Sequence, residues 1–258
     1  MRRMPQPWPA DIRPTPPCAR SGHEANGPVP ETVAGAQQPG LAPPSRRDCL
    51  RTAVLLAGLP ALLVGCGRRT PRHTVLPPGS TVLALGDSLT YGTGAPPGRA
   101  YPDVLAQLTG WQVVNAGVPG HTSAQALERA AALLAQHRPA LLIVSIGGND
   151  FLRGVGAERT REHLRGIAAA AREAGVPVLL VAVPRPTLAA AVTRTLDDHP
   201  LYPELATELG LPLHPNGWSE VLSDARLRSD RIHANADGYA RFAQGLLGTL
   251  RELGWAGH

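Results

Sequence analysis

Short apolar runs alternate with helical stretches from residue 81 onward, and this alternation restricts the fold more than any other feature. Thr81-Val82-Leu83-Ala84-Leu85 stops at Gly86, and residues 141–146 and 176–183 are runs of the same kind. Their length and β-branched content predict buried strands, and residues 112–115 predict one more. Between them lie predicted helices over 101–108, 123–137 and 158–174, the last stopped by Gly175. Ala126, Leu127, Ala130, Leu133 and Leu134 form the apolar stripe of the second. A closing helix is predicted from 237 to about 253, with Tyr239, Phe242, Leu246 and Leu250 on one face. Strands that read apolar on both faces need cover on both sides. The pattern therefore predicts an α/β fold with a parallel sheet between two helical layers. Active residues of such sheets collect in loops at the carboxyl ends of the strands. Three of these loops, at 86–90, 115–122 and 147–150, are rich in Gly, Asn, Asp and Ser.

The region before the first strand reads differently. Residues 1–44 are rich in Pro, Gly and Ala without a sustained apolar period, and are expected to form a disordered extension. Ser45-Arg46-Arg47-Asp48-Cys49-Leu50-Arg51 then precedes an apolar run at 52–64, the order of a charged and an apolar signal region. About 13 residues at ~1.5 Å each are too short to cross a ~30 Å hydrocarbon core. The arginine pair resembles a twin-arginine export signal, and Leu63-Val64-Gly65-Cys66 resembles a bacterial lipobox. That resemblance implies lipidation of Cys66, a signal peptide over 45–66, a tether over 67–79 and a folded domain over 80–258. It also implies an exported, periplasm-facing lipoprotein of the cell envelope. The plainer alternative is a buried amphipathic helix with a chance cysteine.

Charge and cysteine usage agree with a self-sufficient body. Cys18, Cys49 and Cys66 are the only cysteines, so nothing beyond residue 66 can form an internal disulfide. The formal charge is +5, but residues 66–258 hold 18 Arg against 16 acids with both signs interspersed. That distribution argues against a nucleic-acid partner. No Cys/His ligand cluster stands out, so neither a metal nor another cofactor is expected. The body is expected to act as a monomer.

The residues that carry chemistry sit at predicted strand ends. Ser88, in Gly86-Asp87-Ser88-Leu89-Thr90, follows the first strand, where a turn exposes a hydroxyl and aims backbone N–H groups at a substrate. Alone, Asp-Ser after a strand is most often a helix cap. His233 follows Asp230 by three residues, a spacing that lets a carboxylate orient an imidazole. Asn149, in Gly147-Gly148-Asn149-Asp150, can donate to a developing oxyanion, or simply serve a turn. Gly120 closes Asn115-Ala116-Gly117-Val118-Pro119-Gly120 and can offer an N–H with no Cβ in the way. His121 reads as a solvated loop residue, Asp87 as a cap and Asp150 as a turn residue. His137, His163, His199 and His214 read as surface residues, and Arg185 as a weak candidate for meeting an acidic substrate group.

Taken in chain order, Gly86–Thr90, the glycine loop at 115–120, Gly147–Asp150 and Asp230–His233 resemble the four blocks of the SGNH (GDSL) hydrolase family, over about residues 80–252. The spacing is similar to its bacterial thioesterase/lysophospholipase and arylesterase branch. The resemblance implies a three-layer α/β/α sandwich with a central mostly parallel, flavodoxin-like sheet. It implies Ser88 as nucleophile, His233 as general base and Asp230 as its partner. The implied oxyanion donors are the Ser88 amide, Gly120 (with Gly117 as fallback) and Asn149. Family members commonly have Pro after the histidine, where this chain has Ala234, which is expected to loosen that loop slightly. The implied activity is hydrolysis of small acyl or aryl esters, thioesters or lysophospholipids. The alternatives are an acetyl esterase acting on cell-envelope carbohydrate, and a lipid-anchored binding module that has kept the fold without the chemistry. Residues 184–215 show no clear periodicity and are expected to wall an acyl pocket, with Leu188, Val192, Leu201 and Tyr202 as liners.

Overall fold

The computed structural model describes residues 73–185 and 195–257. The signal-like segment with Cys66, and the candidate liners Leu188 and Val192, lie outside the described residues. Within them, strands β1 (Thr81–Gly86), β2 (Gln112–Gly117), β3 (Leu141–Ser145), β4 (Val178–Val181) and β5 (Leu213–His214) form one sheet. Its order is β2-β1-β3-β4-β5 and every pairing is parallel. This is the expected α/β architecture, with the flavodoxin-like strand order. β1 lies between β2 and β3, so the chain winds away from it in both directions. The carboxyl end of β1 is thus the switch point, where ligands settle in open parallel sheets.

Helices α1 (Ser88–Tyr91), α2 (Tyr101–Thr109), α3 (Ser123–His137), α4 (Gly148–Leu152), α5 (Ala157–Glu173), α6 (Leu201–Leu209), α7 (Gly217–Ser223) and α8 (Ala236–Glu252) connect and cover the strands. Two apolar layers result. On one face Val82, Ala84, Ile143 and Leu179 pack with Tyr101, Leu105, Trp218, Phe242 and Leu246, from α2, α7 and α8. On the other, Leu83, Leu85, Leu142, Val144 and Leu180 pack with Ala130, Leu164, Ile167, Tyr202 and Leu205, from α3, α5 and α6. Alternate residues of one strand thus enter opposite layers, as the period of two demands. Few aromatics are present, but they are concentrated. Trp218 stacks on Phe242 with ring centroids 3.6 Å apart, and its Nε1 donates to Ser145 Oγ at 3.0 Å.

The long predicted elements coincide with observed ones to within two residues at most ends. Three differences have physical causes. The predicted run 176–183 is a strand only over Val178–Val181: Pro177 carries no N–H for the ladder at one end, and the partner strand β5 stops at His214 at the other. Helix α6 escaped the periodicity reading because prolines crowd it. Leu201, Tyr202, Leu205 and Ala206 nevertheless form a buried helical stripe, with Pro203 tolerated in the first turn. Leu201 and Tyr202 are therefore core residues, not pocket liners. Tyr202 Oη donates to the Ile146 carbonyl at 2.7 Å. Finally, residues expected in the tether are already docked. His73 N–H donates to the Leu253 carbonyl at 2.9 Å, Leu76 N–H to that of Trp255 at 2.8 Å, and the His73 ring stacks on Trp255. The folded body thus begins ahead of Ser80.

Three histidines expected at the surface are built in, among them His163, half-buried with Nδ1 2.8 Å from Ser123 Oγ. His214 is 5% exposed, and its Nδ1 lies 2.8 Å from Thr249 Oγ1. Burial holds its pKa down at about 4. His199 is half-buried, stacked on Phe151 with ring centroids 4.1 Å apart.

Candidate active site

The loop after β1 turns at once into α1. Asp87 caps this helix, its Oδ1 accepting the Leu89 N–H at 3.0 Å. The cap leaves Ser88 at the first helical position, half-buried, at the carboxyl edge of the sheet. Asp87 itself is almost wholly buried. Burial raises its pKa to about 6, against the lowering effects of the Leu89 N–H and of His233.

His233 arrives from the far end of the chain, in the turn before α8. That turn is closed by an antiparallel bridge, with Ser229 N–H donating to the His233 carbonyl at 3.0 Å and Asn235 N–H to that of Leu227 at 2.9 Å. The bridge uses neither the N–H of Ala234 nor a side chain there. Ala234 is fully buried. The loop expected to be looser without proline is thus held by its own backbone and by packing.

His233 Nε2 lies 3.0 Å from Ser88 Oγ, and Nδ1 lies 2.7 Å from Asp230 Oδ2. Asp230 Oδ1 accepts the N–H groups of both Ile232 and His233 at 2.8 Å. Its partial burial would raise the carboxyl pKa. The His233 ring and the two backbone donors outweigh that effect and hold it below the ordinary value.

Asn149, in the first turn of α4, reaches across the strand ends. Its Nδ2 donates to the His121 carbonyl at 3.0 Å and to Asp87 Oδ2 at 3.4 Å. One amide thereby touches the loops after β1 and β2 while it sits after β3. Gly147 makes this approach feasible. Its φ is +125°, and a Cβ there would collide with Tyr202 Oη. Gly120 also needs its missing side chain, with φ +79°. Its N–H has no acceptor among the described residues, whereas the Gly117 N–H is taken by Asn115 Oδ1 at 3.0 Å. Of the two glycines, only Gly120 keeps a free donor.

The structure thus brings together Ser88, Asp230 and His233, with Asn149 bonded to Asp87, next to Ser88, and to the carbonyl of His121, next to Gly120. Other candidates sort differently. Arg185 pairs loosely with Asp197 at 3.8 Å. His121 is half-buried rather than solvated, and burial lowers its pKa. Asp150 is more than a turn residue. It is fully buried, with Oδ2 accepting the Ser123 N–H at 2.8 Å and Oδ1 the Ser123 hydroxyl at 2.5 Å. Sequence reading also missed Arg129 on α3. Its guanidinium donates to the carbonyls of Ala116 at 2.7 Å and Gly86 at 2.8 Å, tying the ends of β2 and β1. An arginine in an amphipathic helix gives no signal of that role.

Comparison with known proteins assigns the family. Residues 84–241, well over half of the chain, match the GDSL-like Lipase/Acylhydrolase family. The chain belongs to that family. Its members are ester-bond hydrolases, and this chain is one of them. It is 37% identical over 180 residues to the thioesterase 1/protease 1/lysophospholipase L1 of Escherichia coli (strain K12), covering 67% of this chain and 84% of that one. It is 28% identical over 171 residues to an arylesterase of Vibrio mimicus, covering 63% and 84%. Among solved structures, the crystal structure of TesA superposes with a TM-score of 0.60 at 29% identity, covering 67% of this chain and 99% of that one. In this GDSL family member the matched region runs from β1 into α8, so it contains every residue of the cluster.

Proposed function

We propose that this chain hydrolyses carboxylic esters and thioesters through an acyl-enzyme on Ser88. His233 Nε2 takes the Ser88 proton as Oγ attacks the carbonyl carbon. Asp230 holds Nδ1–H, fixes the tautomer and stabilises the imidazolium. The carbonyl oxygen, now negative, is held by the Ser88 and Gly120 N–H groups and by Asn149 Nδ2. His233 returns the proton to the departing alkoxide or thiolate, leaving Ser88 acylated. Water then attacks the acyl carbon, His233 takes a proton from it, and the carboxylic acid leaves as Ser88 Oγ is reprotonated.

The observation that carries this reading is the line Asp230–His233–Ser88, with separations of 2.7 and 3.0 Å. Hydrogen-bond reach between nucleophile and base, and between base and orienter, is what such chemistry requires. The substrates we favour are small acyl or aryl esters, acyl thioesters and lysophospholipids, on the strength of the names its relatives carry. A panel of p-nitrophenyl esters of rising chain length, an acyl thioester, a lysophospholipid and an acetylated sugar tests this. Turnover confined to the acetylated sugar would replace the substrate assignment and keep the mechanism. No turnover of any of them would favour a binding module.

We further infer that the body is exported and held at the membrane through a lipid on Cys66. The support is the order of Arg46-Arg47, an apolar run and Leu63-Val64-Gly65-Cys66. Incorporation of labelled palmitate by the full chain, lost in Cys66→Ala, is the expected result. Equal labelling of both would refute it.

A further inference from the structure

We infer that Asp150 and Ser123 are positioning residues that hold the two loop-borne oxyanion donors in register. This inference rests on the function proposed above and extends it to residues outside the cluster itself. The two donors sit on different loops, Gly120 after β2 and Asn149 after β3. Neither loop is joined to the other by strand pairing, because β1 lies between β2 and β3. Some other contact has to fix their separation.

Asp150 supplies it. It follows Asn149 directly, and its carboxylate takes both donors of Ser123, three residues after Gly120. Thr160 Oγ1 adds a longer contact to Oδ1 at 3.4 Å. Asp150, Ser123 and Thr160 are all fully buried, so water does not compete for these bonds. Ser123 Oγ also lies 2.8 Å from His163 Nδ1 on α5. The hydroxyl has one proton, and it goes to Asp150. His163 Nδ1 therefore carries a proton and donates to Ser123. A relay from His163 through Ser123 to Asp150 thus ties α5, the start of α3 and the start of α4. The Asn149 bond to the His121 carbonyl runs between the same two loops. Together the two links bracket the space between Gly120 and Asn149.

Buried as it is, the relay touches no substrate, so its removal should act on the transition state through geometry. In Asp150→Asn one carboxylate oxygen becomes an NH2, so the charge is lost and Ser123 Oγ has to accept from it, which reverses its bond to His163 Nδ1. In Ser123→Ala the N–H bond stays and the hydroxyl bond is lost. The test measures kcat and KM per active site, counted by fluorophosphonate labelling taken to completion, with the melting temperature alongside. Ser123→Ala is expected to lower kcat about tenfold and Asp150→Asn about a hundredfold, the size of loss that a misplacement near 1 Å produces. KM should change less than about twofold. Counting active sites removes any loss that comes only from unfolded protein. Combined with Asn149→Ala, the Ser123→Ala effect should shrink, because the donor it positions is gone.

Parent-like kcat per labelled site in both variants would overturn the inference, as would fully additive losses in the double variant. If Asp150→Asn does not fold, Ser123→Ala carries the same test. Failure of the underlying function reads differently, since Ser88→Ala would then keep its turnover.

Discussion

His233 Nε2 stands 3.0 Å from Ser88 Oγ although 145 positions separate the two residues. Nothing local brings them together. Ser88 is held by the end of β1 and the cap at Asp87, and His233 by a backbone bridge at the start of α8. The contact is thus a product of the whole sheet, with α8 packed along one face and its N-terminus delivered to the switch point. Asn149 then spans the loops after β1 and β2 from its place after β3. The Ser88 hydroxyl, the His233 imidazole and the Asn149 amide converge at the carboxyl edge of the sheet.

Asn149→Ala tests the anion pocket. Removal of one oxyanion donor is expected to lower kcat by about 10²–10³. Steady-state kinetics on a p-nitrophenyl ester should show this with KM nearly constant. A change confined to KM would assign Asn149 to ground-state binding.

Asp230→Asn tests the orienter. Its side chain is 53% exposed, so the expected loss comes from tautomer and orientation more than from a buried charge. A kcat lower by about 10³–10⁴ is expected, with folding retained. Circular dichroism on the same sample separates that from loss of the loop, since Asp230 Oδ1 also accepts two backbone N–H groups.

The buried strands, helices α3, α5 and α8, and the blocks around Ser88, Asn149 and His233 are local patterns, so the amino-acid order alone reveals them. Tyr202, Asp150 and His214 are not legible in that way. Each is decided by a partner far along the chain: Ile146 for Tyr202, Ser123 for Asp150 and Thr249 for His214. Polar residues of this kind look like surface until tertiary packing supplies the bond that lets them be buried. Gly120 against Gly117 is the same lesson in a single loop. The Asn115 side chain occupies the Gly117 N–H, and the Gly120 N–H stays free among the described residues.

Arg129 provides a stability test. Its guanidinium bonds the carbonyls of Gly86 and Ala116 beneath the site. Arg129→Gln is expected to cost about 2–3 kcal/mol, since charged donors to buried carbonyls are lost together. Urea denaturation gives the difference, and an unchanged midpoint would mean that water replaces both bonds.

His214 predicts a pH dependence of stability. Its pKa is about 4 in the folded chain, against about 6.5 when unfolded. Between these values the unfolded chain binds more protons, so stability rises with pH across that window and is lost as pH falls through it. The contribution is on the order of 3 kcal/mol. Denaturation midpoints of His214→Asn should vary less between pH 4 and 6.5 than those of the parent.

The most direct test of the proposed chemistry is covalent. A fluorophosphonate reacts far faster with an activated serine than with an ordinary hydroxyl. Peptide mapping by mass spectrometry should find one label per chain, on Ser88, with labelling abolished in Ser88→Ala and strongly slowed in His233→Ala. A label on another residue, or labelling of Ser88→Ala at the parent's rate, would contradict it.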